Sequence, residues 1–245
     1  MTENFPHPPI IEAMLDIRTI LPLEINLENL LSYHEEIKDR FPEKSRRVQW
    51  KSDIQIKQEK ALEVATSGGP DGYLFRSPKE NKVVQVRLDG FTFNQLKPYT
   101  GWKFFSDEAR ELWNLYVKIT RPQKVLRLAL RYINRIKIPL PLKAFKEYVT
   151  TVPEIAEGMP NALSHFLMQL VVPDEKTGNI ATITETFERQ TDASAVALIF
   201  DIDTYHEKNL AADSNEIWQI MESLARYKNE IFLSSMTDKA KDLFR

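Results

Sequence analysis

Residues 125–138 read VLRLALRYINRIKI. Alternate positions in this stretch carry large apolar side chains: Leu126, Leu128, Leu130, Tyr132 and Ile136. Its basic residues occupy positions of the other parity: Arg127, Arg131, Arg135 and Lys137. Because successive side chains of a strand point to opposite faces of a sheet, this period of two predicts a β-strand with one core face and one basic face. Proline cannot donate to a strand ladder, so Pro139 and Pro141 are expected to end the strand.

Outside this strand, the hydrophobic patterns predict a strand, a helix, about three strands and a helix, and then the same order again. Two short matches suggest an internal duplication. Residues 17–20 (IRTI) resemble residues 130–133 (LRYI) at an offset of 113, and residues 89–93 (DGFTF) resemble residues 201–205 (DIDTY) at an offset of 112. The sequence therefore predicts a first α+β repeat over residues 1–122 and a second over residues 123–245, joined in one continuous structural unit.

Each predicted repeat has a mostly antiparallel sheet with one apolar face that needs covering, and its helices can cover it. The predicted fold class is therefore α+β, with duplicated units that form one curved sheet and helices packed on one face. Such an architecture is similar to the TATA-binding-protein-like and helix-grip folds, a likeness that carries no function. The cluster from Gly68 to Gly72 is expected to form a turn between two of the strands.

Composition narrows the possible functions. The 245 residues include no cysteine, which excludes disulfides, thiolate metal sites and cysteine nucleophiles. The formal net charge is −2, so the chain has no overall basic field for nucleic acid. No segment resembles a signal peptide or a membrane span, and we expect a cytoplasmic protein that does not contact a membrane. No cofactor is predicted.

The basic face of residues 125–138 is the first candidate site. At a rise of about 3.3 Å per residue, Arg127 and Arg135 would lie roughly 26 Å apart, which suits an extended anionic ligand or nucleic acid. Phe91 and Phe93, predicted to share a face with Arg87, would add aromatic side chains for stacking if the basic face is the same one. The alternative is a solvated face whose arginines pair with acidic residues across the sheet, namely Glu185, Glu188, Asp201 or Asp203.

A second candidate is a metal site. Asp201 and Asp203 are predicted on one side of a strand, with His206 just past its end. Carboxylate and imidazole ligands suit magnesium, manganese or zinc, although no second histidine lies at a recognised spacing. Two amides are also singled out, because Asn134 and Asn229 fall on apolar faces, where an amide needs hydrogen-bond partners.

No recognised catalytic motif is present: the sequence contains no nucleophile elbow, phosphate-binding loop, dinucleotide-binding glycine pattern or zinc-binding HExxH. We therefore predict a non-enzymatic binding or interaction protein that uses its open sheet face or the cleft between its repeats. Its partner would be an anionic ligand, nucleic acid or another protein. The alternative is an enzyme acting on a phosphorylated or nucleotide substrate. An exposed sheet edge could also form a homodimer.

Three motifs resemble a known family. They are residues 8–13 (PPIIEA), residues 130–136 (LRYINRI) and, near the C-terminus, residues 224–229 (LARYKN) with Phe232, Met236 and Thr237. Together they resemble a sporadically distributed family of bacterial proteins of about this length, which has an N-terminal Pro-Pro-Ile-x-Glu-Ala motif. The family has no assigned activity, so the resemblance supports a single structural unit and implies no catalytic residue.

Overall fold

A computed structural model describes residues 5–55, 63–154, 156, 165–188 and 194–245, with the side chains of residues 49–55 and 63–67 left aside. Nine strands and four α-helices form within these ranges. The strands are β1 (Ile10–Ile20), β2 (Glu43–Gln55), β3 (Glu63–Ser77), β4 (Lys82–Arg87), β5 (Gly90–Leu96), β6 (Lys124–Pro139), β7 (Leu167–Asp174), β8 (Asn179–Phe187) and β9 (Ala195–Leu210). The helices are α1 (Leu27–Ile37), α2 (Trp102–Thr120), α3 (Glu216–Ser235) and α4 (Asp238–Lys241).

All nine strands belong to a single sheet in the order β2-β3-β4-β5-β1-β6-β9-β8-β7. Every neighbouring pair is antiparallel, which confirms the α+β class and the antiparallel sheet. The β1–β6 pair joins the strands of residues 1–122 to those of residues 123–245, so no break in hydrogen bonding separates the two parts of the sheet. None of the described helices is long and apolar enough to cross a membrane.

The strand predicted over residues 125–138 is confirmed as β6, with one correction at its start. Leu126 was expected in the core, yet it is exposed, and Val125 is fully buried instead. A register shift in the ladder with β1 places one extra residue in β6, since Arg18 pairs with Arg127 while the next residue, Thr19, pairs with Val125. Such a bulge changes which side chain faces the core, and the alternation holds from Arg127 onward.

The turn predicted at Gly68–Gly72 is wrong, because β3 runs straight through these residues to Ser77. A bulge next to Asp71 absorbs the irregularity instead, since Arg47 pairs with Gly72 while Val48 pairs with Pro70. Glycine is required at position 72 by a close approach of backbone: a Cβ there would lie 2.2 Å from the carbonyl oxygen of Val86.

The helices cover one face of the sheet and enclose two apolar clusters. The first cluster lies under α1, α2 and the start of α3, and it includes Leu15, Phe93, Trp113, Leu130 and Leu224. The second lies under the end of α3 and includes Ile136, Phe200, Phe232 and Phe244. Phe91 and Phe93 are fully buried on the helix side. They therefore do not share a face with Arg87, and the aromatic platform considered for nucleic acid does not form.

Candidate functional site

The arginines of β6 lie on the face opposite the helices, and each one has an acidic partner. Nε of Arg131 donates to Asp201 at 3.0 Å, and Nη2 of Arg127 donates to Asp203 at 3.3 Å. Nε of Arg135 donates to Glu188 at 2.7 Å. The guanidinium of Arg127 also lies 4.4 Å from the ring centre of Tyr205. These are the cross-sheet pairs that the sequence analysis predicts as the alternative to an anion-binding face.

Glu185, the fourth acidic residue considered as a partner, does not take part. Its side chain is buried on the helix side of β8, and burial raises the pKa of its carboxyl group to about 7. Lys137 lies on the outer face of β6 with an exposed side chain. The predicted stripe thus contains three arginines that are paired with acids and one lysine.

Further along the same face, a buried polar network joins β1, β4 and β5, and no pattern in the sequence indicates it. Nη2 of Arg87 donates to Asp16 at 2.8 Å, and its Nε donates to Asp89 at 2.9 Å. Thr92 and Arg18 complete the network around the same carboxylates. Burial alone would raise the pKa of Asp16, but Arg87, Thr92 and Arg18 together hold it below its ordinary value.

The residues predicted as a metal site are not brought together. Asp201 and Asp203 point to the outer face and bond to arginines, whereas His206 has the opposite parity on the same strand. Nδ1 of His206 lies 3.0 Å from Oδ1 of Asn179, and Asn179 donates in turn to Ser223 on α3. Within the described ranges, no three histidine or acidic side chains cluster closely enough to hold a metal ion.

A cavity of about 360 Å³ lies on the helix side, where the N-terminal segment, the β5–α2 loop, β6 and α3 meet. Its walls combine apolar and aromatic side chains with polar groups. The lining residues are Phe5, Pro6, Pro8, Pro9, Ile10, Tyr99, Thr100, Gly101, Trp102, Asn134, Lys228, Asn229, Phe232 and Leu233. Concave apolar sites with a few converging polar groups are the usual form of small-molecule sites.

Lys228 is the distinctive group of this cavity. Its side chain is about nine-tenths buried, and its Nζ lies 3.9 Å from the ring centre of Tyr132 and 2.6 Å from Oδ1 of Asn229. None of the described residues that line the cavity carries a carboxyl group. Burial therefore lowers the pKa of the Lys228 amine to about 7, because the charged form is removed from water without an anionic partner.

The other polar groups of the cavity are fixed by the surrounding fold. Asn134 is buried, as its parity predicted, and its Nδ2 donates to the carbonyl oxygen of Phe200 at 2.9 Å. The hydroxyl oxygens of Tyr99 and Tyr132 lie 2.9 Å apart. Asn229, the second amide singled out in the sequence, accepts from Lys228, and its Nδ2 has no partner among the described residues.

Local structure explains why these segments converge. The side-chain amide of Gln95 bonds to the carbonyl of Pro98 and the hydroxyl of Thr100, which shapes the β5–α2 loop. Gly101 then adopts a φ of +104°, a value that few side chains tolerate, and α2 begins at the next residue. On the opposite wall, Nε1 of Trp102 donates to Glu222 of α3 at 2.8 Å and ties the two helices together.

The N-terminal segment closes the third side of the cavity. The ring of Phe5 packs edge-on against Phe232 and Phe244. The amide of His7 donates to the carbonyl of Phe244 at 3.0 Å, and the amide of Arg135 donates to the carbonyl of Pro9 at 2.9 Å. The proline-rich segment is therefore held against the sheet on both sides.

The three motifs behind the family resemblance converge on this cavity. Pro8, Pro9 and Ile10 come from the first motif, Asn134 from the second, and Lys228, Asn229 and Phe232 from the third. No sequence spacing links these segments, and hydrophobic periodicity alone did not bring them together. The motifs themselves were the one signal that could have pointed to the site.

A scan against protein-family models finds no match for this chain, and a search of curated proteins finds no significant match. The resemblance to the bacterial family therefore stays a prediction. What is known of the site comes from its geometry.

Proposed function

We propose that this protein binds a small molecule in the cavity between its N-terminal segment, the β5–α2 loop and α3. The observation that carries the proposal is Lys228, a buried amine without an anionic partner among the described residues that line the cavity. An isolated buried cation destabilises a fold, and such groups concentrate at functional sites.

The charge arrangement favours this cavity over the open sheet face. Arg127, Arg131 and Arg135 are each neutralised by a neighbouring acid, so little positive potential is left for an extended anion or nucleic acid. The enzyme alternative that used Asp201 and Asp203 loses support for the same reason. The sequence analysis considers the open sheet face and the cleft between the repeats. Of these two surfaces, the cleft contains a cation, Lys228, without an acidic partner among the described residues of its lining.

We also propose that the sheet arose by duplication of a unit corresponding to residues 1–122 and 123–245, giving a TATA-binding-protein-like or helix-grip-like arrangement. Support comes from the central ladder, in which Asp16 lies opposite Ala129, 113 residues later. The same offset relates residues 17–20 to residues 130–133. A twofold axis through the Asp16–Ala129 pair would therefore superpose β1 on β6.

The flanking strands support the same offset. Phe91 lies opposite Ile17, and Thr204 lies opposite Leu130, so both pairs are related by 113 residues. Phe91 and Thr204 are both fully buried on the helix side. The match of residues 89–93 to 201–205 is accordingly one residue out of register, since it would pair buried Phe91 with Asp203 on the outer face. Aligning the two halves of related sequences would test the duplication, which predicts a preferred offset of 113 there too.

The binding proposal is tested by filling the cavity. Leu233→Trp places a large side chain on the α3 wall, where we expect it to occupy the ligand's volume and reduce binding at least tenfold. Native mass spectrometry of freshly purified protein would reveal a co-purifying molecule, and a thermal-shift screen of metabolites would identify compounds that raise the melting temperature.

Leu23→Trp is the matched control, because Leu23 is fully exposed in the β1–α1 loop and far from the cavity lining. This variant should bind as the wild type does. The proposal would be abandoned if the wild type carried no molecule and responded to no compound, or if Leu233→Trp kept full binding.

A further inference from the structure

We infer that the ligand of this cavity is a small monocarboxylic acid with an apolar or aromatic body, whose carboxylate pairs with the ammonium group of Lys228. The inference rests on the proposed function above and names the chemical class of its ligand. It stands on four features of the cavity: one cation, one free amide donor, a helix N-terminus and an apolar wall.

The charge of the cavity lining favours a ligand with a single negative charge. Lys228 is the one lysine or arginine among the described residues that line the cavity. A carboxylate would give a neutral buried pair, whereas a phosphate dianion would leave one negative charge unpaired in an apolar site, which is costly. A single buried cation therefore matches a monoanion.

Hydrogen-bond geometry gives the second and third features. A carboxylate has two oxygens, and the free Nδ2 of Asn229 lies beside Lys228, which already bonds to the same amide through Oδ1. The N-terminus of α2 also forms part of the wall through Gly101 and Trp102. No side chain caps this 19-residue helix and no acid lies in its first turn, so its positive end is free to stabilise an anion.

The remaining wall suits an apolar body. Phe5, Trp102, Phe232 and Leu233 surround the polar group, together with three prolines of the N-terminal segment. A volume of about 360 Å³ is near the lower end of the range for small-molecule sites, roughly 300–1,000 Å³. The ligand is therefore compact, on the scale of an arylacetic acid.

Binding should depend on pH with a definite sign. The pKa of Lys228 is about 7 in the free protein, so above pH 7 the amine must take up a proton to pair with the ligand. The titratable groups on the elements around it are Tyr132 on β6, Tyr99 in the β5–α2 loop, Glu222 on α3, Glu185 on β8 and His7 in the N-terminal segment. Burial raises the pKa of both tyrosines out of this range and that of Glu185 to about 7, so the Lys228→Met variant decides which group causes the dependence. Affinity should fall about 30-fold between pH 6 and pH 8.5.

Calorimetry with the full-length protein would test the inference. The probes are phenylacetate and 3-phenylpropionate, their uncharged primary amides, and phenyl phosphate. We expect the carboxylates to bind at least tenfold more tightly than the amides, and Lys228→Met to remove this preference. Lys118→Met is the matched control, because Lys118 is exposed on α2, and His7→Gln tests whether the histidine between Pro6 and Pro8 of the cavity lining causes the pH effect.

Different outcomes separate the inference from the proposed function. Equal binding of acids and amides, abolished by Leu233→Trp, would overturn the carboxylate and leave the cavity as a binding site. Tighter binding of phenyl phosphate would also overturn it, as would a wild-type pH dependence that persists in Lys228→Met. If no probe binds and no molecule co-purifies, both proposals fail. A thermal melt of Lys228→Met establishes that the variant is folded, and Lys228→Gln gives a second neutral replacement.

Discussion

At the residue scale, the two buried cations Arg87 and Lys228 differ in whether acidic side chains neutralise them. Arg87 is almost completely buried, with Asp16, Asp89 and Thr92 bonded to its guanidinium group. Lys228 is nearly as buried but has a tyrosine ring and a neutral amide in place of a carboxylate. The paired charge of Arg87 stabilises the fold, whereas under the proposed function Lys228 would gain its anionic partner only from a ligand.

The network around Arg87 gives a stability prediction. Arg87→Met would leave the carboxylate of Asp16 buried without its main partner, and we expect a loss of about 3–5 kcal/mol in the free energy of unfolding at pH 7. Arg135→Met removes a more exposed pair with Glu188 and should cost less than about 1 kcal/mol. Urea unfolding of both variants measures the difference, and equal losses would contradict the assignment.

The same network sets an acid dependence. Because the pKa of Asp16 is lower in the folded than in the unfolded protein, its contribution is complete above its ordinary value of 3.8 and is lost as the pH falls below it. The difference between wild type and Arg87→Met should therefore shrink when unfolding is measured at pH 3.

Part of this charge pairing could be predicted from the sequence. Strand parity indicates Glu188, Asp201 and Asp203 as partners of the arginines, because residues of the same parity on paired strands face each other. The sequence could not exclude Glu185 as a partner of the arginines, since the burial of Glu185 depends on which face of β8 the helices cover. The Asp16–Arg87 pair joins residues 71 positions apart on strands that are not direct neighbours, so no local pattern reports it.

At the element scale, β6 and β3 differ in how clearly their sequences predict a strand. Fourteen residues of alternating polarity predicted β6. Only the start of the strand, at the register shift beside Val125, departs from the alternation. In β3 the composition around Gly68–Gly72 resembled a turn, but pairing with β2 along these residues, and with β4 from Gly72 onward, holds them in the sheet. Tertiary pairing overrode local propensity there.

Glycine 72 provides a test of that interpretation. Gly72→Ala would push a methyl group into the backbone of β4, because its Cβ would lie 2.2 Å from the carbonyl oxygen of Val86. We expect a loss of at least about 2 kcal/mol in stability. Gly69→Ala, three residues earlier in the same strand with open space around its Cβ, should change stability by less than about 0.5 kcal/mol. Similar melting temperatures for the two variants would refute the close approach.

At the scale of the whole molecule, the first apolar cluster contains residues from both predicted repeats. Leu15 and Phe93 come from the first, and Leu130 and Leu224 from the second. The sequence predicted one continuous unit from similarity between the halves, while the shared core and the β1–β6 ladder are facts of packing. The cavity could not be predicted in the same way, because its walls come from four separate segments spread along the chain between Phe5 and Leu233.

A shared core predicts cooperative unfolding. We expect urea to unfold the full chain in one transition, with coincident midpoints for tryptophan fluorescence and far-ultraviolet circular dichroism. Residues 1–122 and 123–245 expressed separately should each fail to fold, since each would expose half of the central ladder and of the first cluster. Two separate transitions, or a stable fragment, would count against a single cooperative unit.

The contact of His7 and Phe5 with Phe244 has a practical consequence for handling this protein. An affinity tag fused ahead of Phe5 would emerge at the mouth of the cavity, where it could obstruct the entry of a ligand. The proximity of these two segments also makes the chain suited to circular permutation, in which a short linker joins residue 245 to residue 5 and new ends open elsewhere. A permuted chain would keep the tag away from the cavity.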